Sequence, residues 1–393
     1  MYNLIIDQPD NCYGCGACVA ACPKSCLTME KDDLGFKIMH MSNIDNCISC
    51  GTCVRVCEAQ KMSKGNNRGL KRYYAQNKDP EVLMRSSSGG VFSALAEYVF
   101  KNDGAVWGVQ MDSNGKNTFK CAFDHEELKE LCGSKYVEVD TILPFAEVRE
   151  QLQTGKLILF SGTPCQIQAM NLFLQNKKYE NLILVDLLCF GVQSPDIWQK
   201  YLMEINPNHS KLINVQMRHK KPGWEEYAMN IIFEDGKCYC KSRWKDPYLL
   251  SYASSLYNRT ICSKCKAKTF PRVSDITLGD FWQIDTLPAI PKTIKIDSGV
   301  SIVLAHSSKG LELLQHMNDD LYIYELPDNV FTNMKERFSG CSKESPNKEK
   351  FLEQVQKMSF NAAVKNNIHS QMHARLRFKW LKVKRILKRV RNP

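Results

Sequence analysis

The chain has 393 residues, 44% of them hydrophobic, with 18 cysteines and a formal net charge of +11. That length allows two or three ordinary domains, and no stretch approaches the ~18 apolar residues of a membrane-spanning helix. The first ten residues lack the basic and apolar regions of a secretory signal, so thiols in such number point to a reducing cytoplasm, where disulfides do not persist.

Eight of the cysteines ahead of residue 60 fall in two runs of identical C-x2-C-x2-C-x3-C spacing: Cys12, Cys15, Cys18 and Cys22, then Cys47, Cys50, Cys53 and Cys57. Three thiolates two residues apart on a tight loop can converge on one cubane, while the fourth must come from a distant segment. In the bacterial-ferredoxin pattern the fourth cysteine of each run serves the other cluster. Cys12, Cys15, Cys18 and Cys57 are therefore expected to hold one [4Fe–4S] cluster, and Cys47, Cys50, Cys53 and Cys22 a second. Gly14, Gly16 and Gly51 leave room where the backbone wraps closely. A zinc site would show two pairs of ligands rather than two triplets with outliers. Pro23 follows Cys22 as the pattern requires, but Glu58 stands after Cys57 where a proline is expected. An α+β ferredoxin-like module over residues 1–62 that carries single electrons is the expectation.

Residues 63–80 read as a linker, polar at its start with Gly65, Asn66, Asn67 and Gly69. A mixed α/β catalytic domain is expected over residues 81–345. It opens on Ser86-Ser87-Ser88-Gly89-Gly90 and an apolar run with helical spacing over 91–100. Small residues at a helix start present bare N–H groups and the positive end of the dipole, an anion site in one reading and a simple cap in the other. Strands are predicted at 105–110, 157–161, 182–188, 275–278 and 300–305, and helices at 126–131, 166–174 and 195–204. Segments 213–218, 227–233 and 237–241 flank the turn Glu234-Asp235-Gly236 and predict an antiparallel insertion.

Four more cysteines lie at informative places. Cys165 and Cys189 follow predicted strands, and Cys262 and Cys265 form a C-x2-C pair. Strand ends and such a pair can converge on one cluster at the carboxyl edge of an α/β sheet. Cys238 and Cys240 with Cys262 and Cys265 form a competing four-cysteine zinc set. Spacing leaves the two open.

Residues 346–393 are expected to form a helical, basic tail. Glu353 is the last acidic residue, and eleven Lys and Arg follow it, so the charge excess sits there. Leu376, Trp380, Val383, Leu387 and Val390 share one helical face, with Arg377, Lys384, Arg385, Lys388 and Arg391 largely on the others. Such a basic amphipathic helix suits peripheral contact with the inner face of the cell membrane. A solvated tail and a partner-docking helix are the alternatives. No nucleic-acid recognition motif accompanies the charge.

Ser86-Ser87-Ser88-Gly89-Gly90, Gly133-Ser134-Lys135-Tyr136, Gly162-Thr163-Pro164-Cys165-Gln166, Cys262-x2-Cys265 and Asp275-Ile276-Thr277-Leu278-Gly279-Asp280-Phe281-Trp282 occur in the order seen in one family. Over roughly residues 1–340 the chain resembles the family of coenzyme F420 hydrogenase/dehydrogenase beta subunits, with a fused ferredoxin front end. The resemblance implies FAD and a third [4Fe–4S] cluster, held by Cys165, Cys189, Cys262 and Cys265. It places the flavin pyrophosphate at Ser88, Gly89 and Gly90, Lys135 at a phosphate or the ring edge, and Thr163 and Asp280 near the ring. It further implies an iron–sulfur flavoprotein that exchanges electrons with a protein such as ferredoxin and reduces or oxidises a small organic substrate. With the tail at a membrane, a bacterial polysaccharide pathway is a reasonable setting. The alternative is an electron-transfer subunit whose substrate chemistry belongs to a partner. Coenzyme F420 itself is not implied. Cys26, Cys121, Cys132, Cys238, Cys240 and Cys341 have no role in this scheme, His219 and His306 default to structural roles, and Trp224 and Trp282 suit either ring stacking or the core.

Overall fold

A computed structural model describes residues 9–59, 70–334, 338–340 and 342–368, together with Leu376 and Trp380. Its centre is an eight-stranded mixed sheet. The strands in chain order are β1 (Leu27–Lys31), β2 (Lys37–Met41), β3 (Lys71–Asn77), β4 (Ala105–Met111), β5 (Asn117–Ala122), β6 (Ile158–Gly162) and β7 (Leu182–Leu187). They continue with β8 (Leu212–His219), β9 (Ala228–Phe233), β10 (Cys238–Ser242), β11 (Ile276–Asp280), β12 (Ser301–Ala305) and β13 (Leu321–Glu325). The large sheet has the order β13-β3-β12-β11-β7-β6-β4-β5. Strands β4, β6, β7 and β11 run parallel, and both flanks are antiparallel.

Alternate residues of the parallel strands feed two cores, as expected when both faces of a sheet are covered. Val106, Leu159, Ile183 and Val185 face the helices Val91–Lys101, His125–Leu131 and Ser308–Gln315. Trp107, Phe160, Leu182 and Leu184 face the helices Phe145–Gln153 and Pro164–Phe173. Ala17 and Val56 of the N-terminal module pack into this second core. The β1–β2 hairpin and two four-residue helices, Ala17–Ala20 and Thr52–Arg55, make up that module.

The antiparallel insertion is present as β8, β9 and β10. It packs on the helices Pro195–Ile205 and Pro247–Ala253 around Trp198, Tyr201, Tyr248 and Phe233.

Two expected boundaries shift. The expected 63–80 linker runs into β3, which pairs with β12 and β13 inside the large sheet. The expected tail begins with the helices Lys348–Lys357 and Phe360–Asn367, whose Phe351, Val355, Phe360 and Val364 are buried in the insertion's core. The amphipathic segment and Cys341 lie outside the described residues, except for Leu376 and Trp380, which are helical and exposed. No helix among the described residues is long and apolar enough to cross a membrane.

Candidate functional site

In the N-terminal module Cys12, Cys15, Cys18 and Cys57 line one narrow cavity, together with Met29, Met39 and Glu58. Burial, with Cys12 and Cys57 alongside, pushes the Cys18 thiol up to about 12. Burial likewise raises Cys15 well above its ordinary value. A second gathering involves Cys22, Cys47, Cys50 and Cys53: Cys53 feels Cys22 and Cys50, and Cys26 lies against Cys22 and Cys47. Cys47 and Cys50 are exposed. Each run's fourth cysteine thus sits with the other run's triplet. The two gatherings approach each other at Cys18 and Cys53.

A third gathering forms at the carboxyl ends of β6 and β7. Cys165 lies in the first turn after β6, where Thr163 caps the helix and its hydroxyl is 3.1 Å from the Cys165 thiol. Cys189 follows β7, and its sulfur accepts the Gly191 N–H at 3.3 Å. Cys262 lies within the turn Thr260–Lys264 and Cys265 directly follows it. Burial and mutual repulsion push Cys262 and Cys265 up to about 12, with Cys189 acting on both, while Cys165 feels Cys189 and Cys265. Cys238 and Cys240 lie exposed on β10, in another sheet, so the zinc set is not assembled. No three His, Cys, Asp or Glu side chains among the described residues converge tightly enough to hold a single metal ion. A cubane spreads its thiolates over four irons and takes a wider set. Crowded, buried thiols ionise readily only against metal charge, so the first and third donor sets fit iron–sulfur clusters, and the more exposed second set fits one by its ferredoxin spacing.

Two further cations border the third gathering. Arg272, 1% exposed at its side chain, pairs with Asp186 at 3.1 Å. The Lys268 ammonium is buried, 5.6 Å from the Phe190 ring, without a hydrogen-bond partner among the described residues. Both act on the Cys189 thiol.

The module and the sheet domain meet across a polar seam. Buried Arg259 pairs with Glu138 at 2.5 Å and donates to the carbonyls of Cys12 (2.9 Å) and Lys37 (2.8 Å). Glu138 also accepts the Lys37 N–H at 3.0 Å. A Cβ on Gly14 would lie 2.7 Å from Arg259 Nη2 and 2.9 Å from Glu138 Oε1, and φ there is +69°. This position needs glycine twice over. The Tyr13 hydroxyl accepts the Lys266 N–H at 3.3 Å. Glu58 is 1% exposed, burial raises its carboxyl well above the ordinary carboxylate range, and it lies near Cys15 on one side and Cys165 and Cys265 on the other. It marks where the first and third gatherings come together.

The Ser86–Gly90 loop lies at the start of the helix Val91–Lys101. Ser88 Oγ donates to the Val300 carbonyl at 3.0 Å, and the Gly89 N–H donates to Ser301 Oγ at 2.9 Å. A Cβ on Gly89 would fall 2.4 Å from the Ala75 carbonyl oxygen. Lys220, pulled down to about 7 by burial and by Arg218, ties the Ser88 and Ser298 carbonyls. Lys135, lowered by burial to about 8, donates to the Cys132 carbonyl at 2.9 Å and so caps the preceding helix. Asp280 pairs with Arg218 at 2.5 Å and accepts Trp224 Nε1–H at 3.3 Å. The Ser88 hydroxyl, the Gly89 N–H and the Lys135 ammonium are therefore engaged within the protein.

The chain matches the family model described as coenzyme F420 hydrogenase/dehydrogenase, beta subunit N-term over residues 72–144 and its C-terminus counterpart over 155–329. It belongs to the family of coenzyme F420 hydrogenase/dehydrogenase beta subunits. A 4Fe-4S dicluster domain matches residues 11–61 in front of that beta-subunit region. The chain is 27% identical over 193 residues to a subunit of the F(420)H(2) dehydrogenase of Methanosarcina mazei, covering 46% of this chain and 54% of the relative. It thus spans about half the length of that curated relative. A chain of the F420-reducing [NiFe] hydrogenase complex from Methanosarcina barkeri aligns with 75% of this chain and 94% of its own length, at 16% identity and a TM-score of 0.46.

Arg218 and Tyr252 had no sequence signal, whereas Tyr136, Trp224, Trp282, His306 and His219 did. Arg218 lies 4.9 Å from the Tyr227 ring and 5.0 Å from the Trp282 ring. Tyr136 stacks on Tyr252 at 4.1 Å, and Tyr252 feels both Tyr136 and Cys189. Trp224 and Trp282 stack on each other at 4.5 Å. His306 is buried against Thr277 Oγ1 at 2.7 Å, and His219 Nδ1 meets Gln216 Oε1 at 2.7 Å.

Proposed function

We propose that the chain is an iron–sulfur electron-transfer subunit of an oxidoreductase. Single electrons enter at the exposed Cys22, Cys47, Cys50 and Cys53 group, pass to the Cys12, Cys15, Cys18 and Cys57 group, and cross the Glu58 seam to Cys165, Cys189, Cys262 and Cys265. What supports this reading is that three four-cysteine sets stand in series, with Cys18 near Cys53 and Cys15 and Cys165 on either side of Glu58. The bound clusters supply one-electron redox chemistry. The residues hold them in order, exclude water from the inner two sets and leave the outer one accessible. The Methanosarcina mazei relative is named as one subunit of a dehydrogenase, which favours a protein partner as the electrons' destination.

The resemblance adds FAD beyond the third set. That flavin would take Ser88, Gly89, Gly90 and Lys135 at its pyrophosphate, and the path proposed here ends at the third set. Anaerobic isolation with iron and sulfide counted per chain, and any flavin released on denaturation identified, tests the reading. Three cubanes give about twelve irons. About eight after reconstitution would remove the third set from the path.

A further inference from the structure

Three buried cations surround the third cysteine set, and two of them are neutralised. Arg259 is paired with Glu138, and Arg272 with Asp186. Among the described residues Lys268 has no such carboxylate. It is the one lysine among them whose buried ammonium lacks a hydrogen-bond partner. It lies 5.6 Å from the Phe190 ring, and its charge acts on Cys189. Burying an ammonium without an acceptor is costly, and such a group calls for an anion beside it. The inference rests on the third cluster proposed above. Four thiolates on an iron–sulfur core make an anion, and each electron added makes it more negative. A fixed neighbouring cation stabilises the reduced form more than the oxidised one.

We infer that Lys268 raises the reduction potential of the cluster held by Cys165, Cys189, Cys262 and Cys265, and thereby makes that set the downhill end of the path from the N-terminal module. The step it biases is a one-electron transfer. The module side is oxidised by one electron, the third set is reduced by one, and no bond or proton moves. Lys268 is 3% exposed, so water screens its charge little.

The test is an anaerobic potentiometric titration of the reconstituted full chain, followed by electron paramagnetic resonance, for the wild type, Lys268→Met and Lys268→Arg. Lys268→Met keeps the length of the side chain and removes the charge. The expected result is a third-set signal at least tenfold less reduced at a fixed potential, about 59 mV lower for one electron. The two module signals stay in place, and Lys268→Arg stays within about threefold of wild type. A third-set signal unmoved by Lys268→Met, at unchanged iron content, overturns the inference while leaving the three-cluster reading intact. If Lys268→Met sheds the cluster, Lys268→Arg decides: a wild-type potential supports the charge role, and a tenfold shift sinks it. A wild-type chain that binds about eight irons, none lost in Cys189→Ser, rejects the three-cluster reading and this inference with it.

Discussion

Arg259 and Glu138 join two parts of the chain that look independent in sequence. The guanidinium lies 2.5 Å from the carboxylate and is buried with it, while its other nitrogen holds the Cys12 carbonyl at 2.9 Å. Removing one partner of a buried pair typically costs about 3–5 kcal/mol, because the other charge is left uncompensated. Glu138→Gln is therefore expected to loosen the module from the sheet domain. Limited proteolysis should cut between residues 60 and 70 faster than in wild type, and equal cutting rates would argue that the seam is held by other contacts.

Cys189→Ser and the pair Cys238→Ser, Cys240→Ser separate the two ligand sets that spacing left open. The first is expected to lower iron content by about four per chain if the third set holds a cubane. The exposed pair on β10 should leave iron and zinc unchanged. Metal analysis of the purified variants reads both, and zinc lost from the β10 variant would revive the four-cysteine alternative.

Gly89→Ala would bring a methyl group to 2.4 Å from the Ala75 carbonyl oxygen. Relief would require the start of the helix Val91–Lys101 to move away from β3 and β12. Overpacking of this kind typically costs about 1–3 kcal/mol. A clear drop in Tm is the expected outcome, and a Tm equal to wild type would mean that the loop has slack.

His306 supplies the pH prediction. Burial, assisted by Arg272, holds its pKa down at about 3, against an ordinary value of about 6.5. Below about pH 6.5 the unfolded chain therefore takes up a proton that the folded chain refuses, and stability falls as pH falls towards 3. Each pH unit in that window costs up to about 1.4 kcal/mol from this one group. Urea midpoints between pH 7.5 and 5.5 should decline less steeply in His306→Gln, and parallel curves would exclude the assignment.

The tail remains a proposal for membrane contact. Deleting residues 371–393 is expected to reduce flotation with anionic liposomes, and undiminished flotation would place any membrane contact elsewhere in the chain.

The cysteine positions and the parallel strands were legible because their signals are local. A doubled C-x2-C-x2-C-x3-C run names its own chemistry, and β6 and β7 are short apolar runs buried on both faces. β3 was missed because Lys71, Arg72, Gln76 and Asn77 make it look polar. Its polarity is absorbed by tertiary partners, Gln76 for instance donating to the carbonyls of Lys295 (2.8 Å) and Gly299 (2.7 Å). Arg259, Glu138 and Lys268 carry no motif, and their meaning comes from residues that approach them only in the fold. Lys135 and Gly89 lay within recognisable motifs, yet their hydrogen-bond capacity is used by neighbouring main chain and Ser301, which spacing does not reveal.

Gly14 gives the seam a consequence for engineering. The Cys12–Cys15 loop leaves no room for a Cβ beneath Arg259 and Glu138, so the loop and the pair were shaped as one surface. A ferredoxin grafted in place of residues 1–62 would match the cysteine spacing and still meet the sheet domain badly, unless it carried glycine there, the Lys37 N–H and carbonyl, and the small Ala17 that enters the second core. The module is interchangeable as text but not as an object. Chimeras between relatives should succeed only when the crossover keeps both sides of that contact from the same parent.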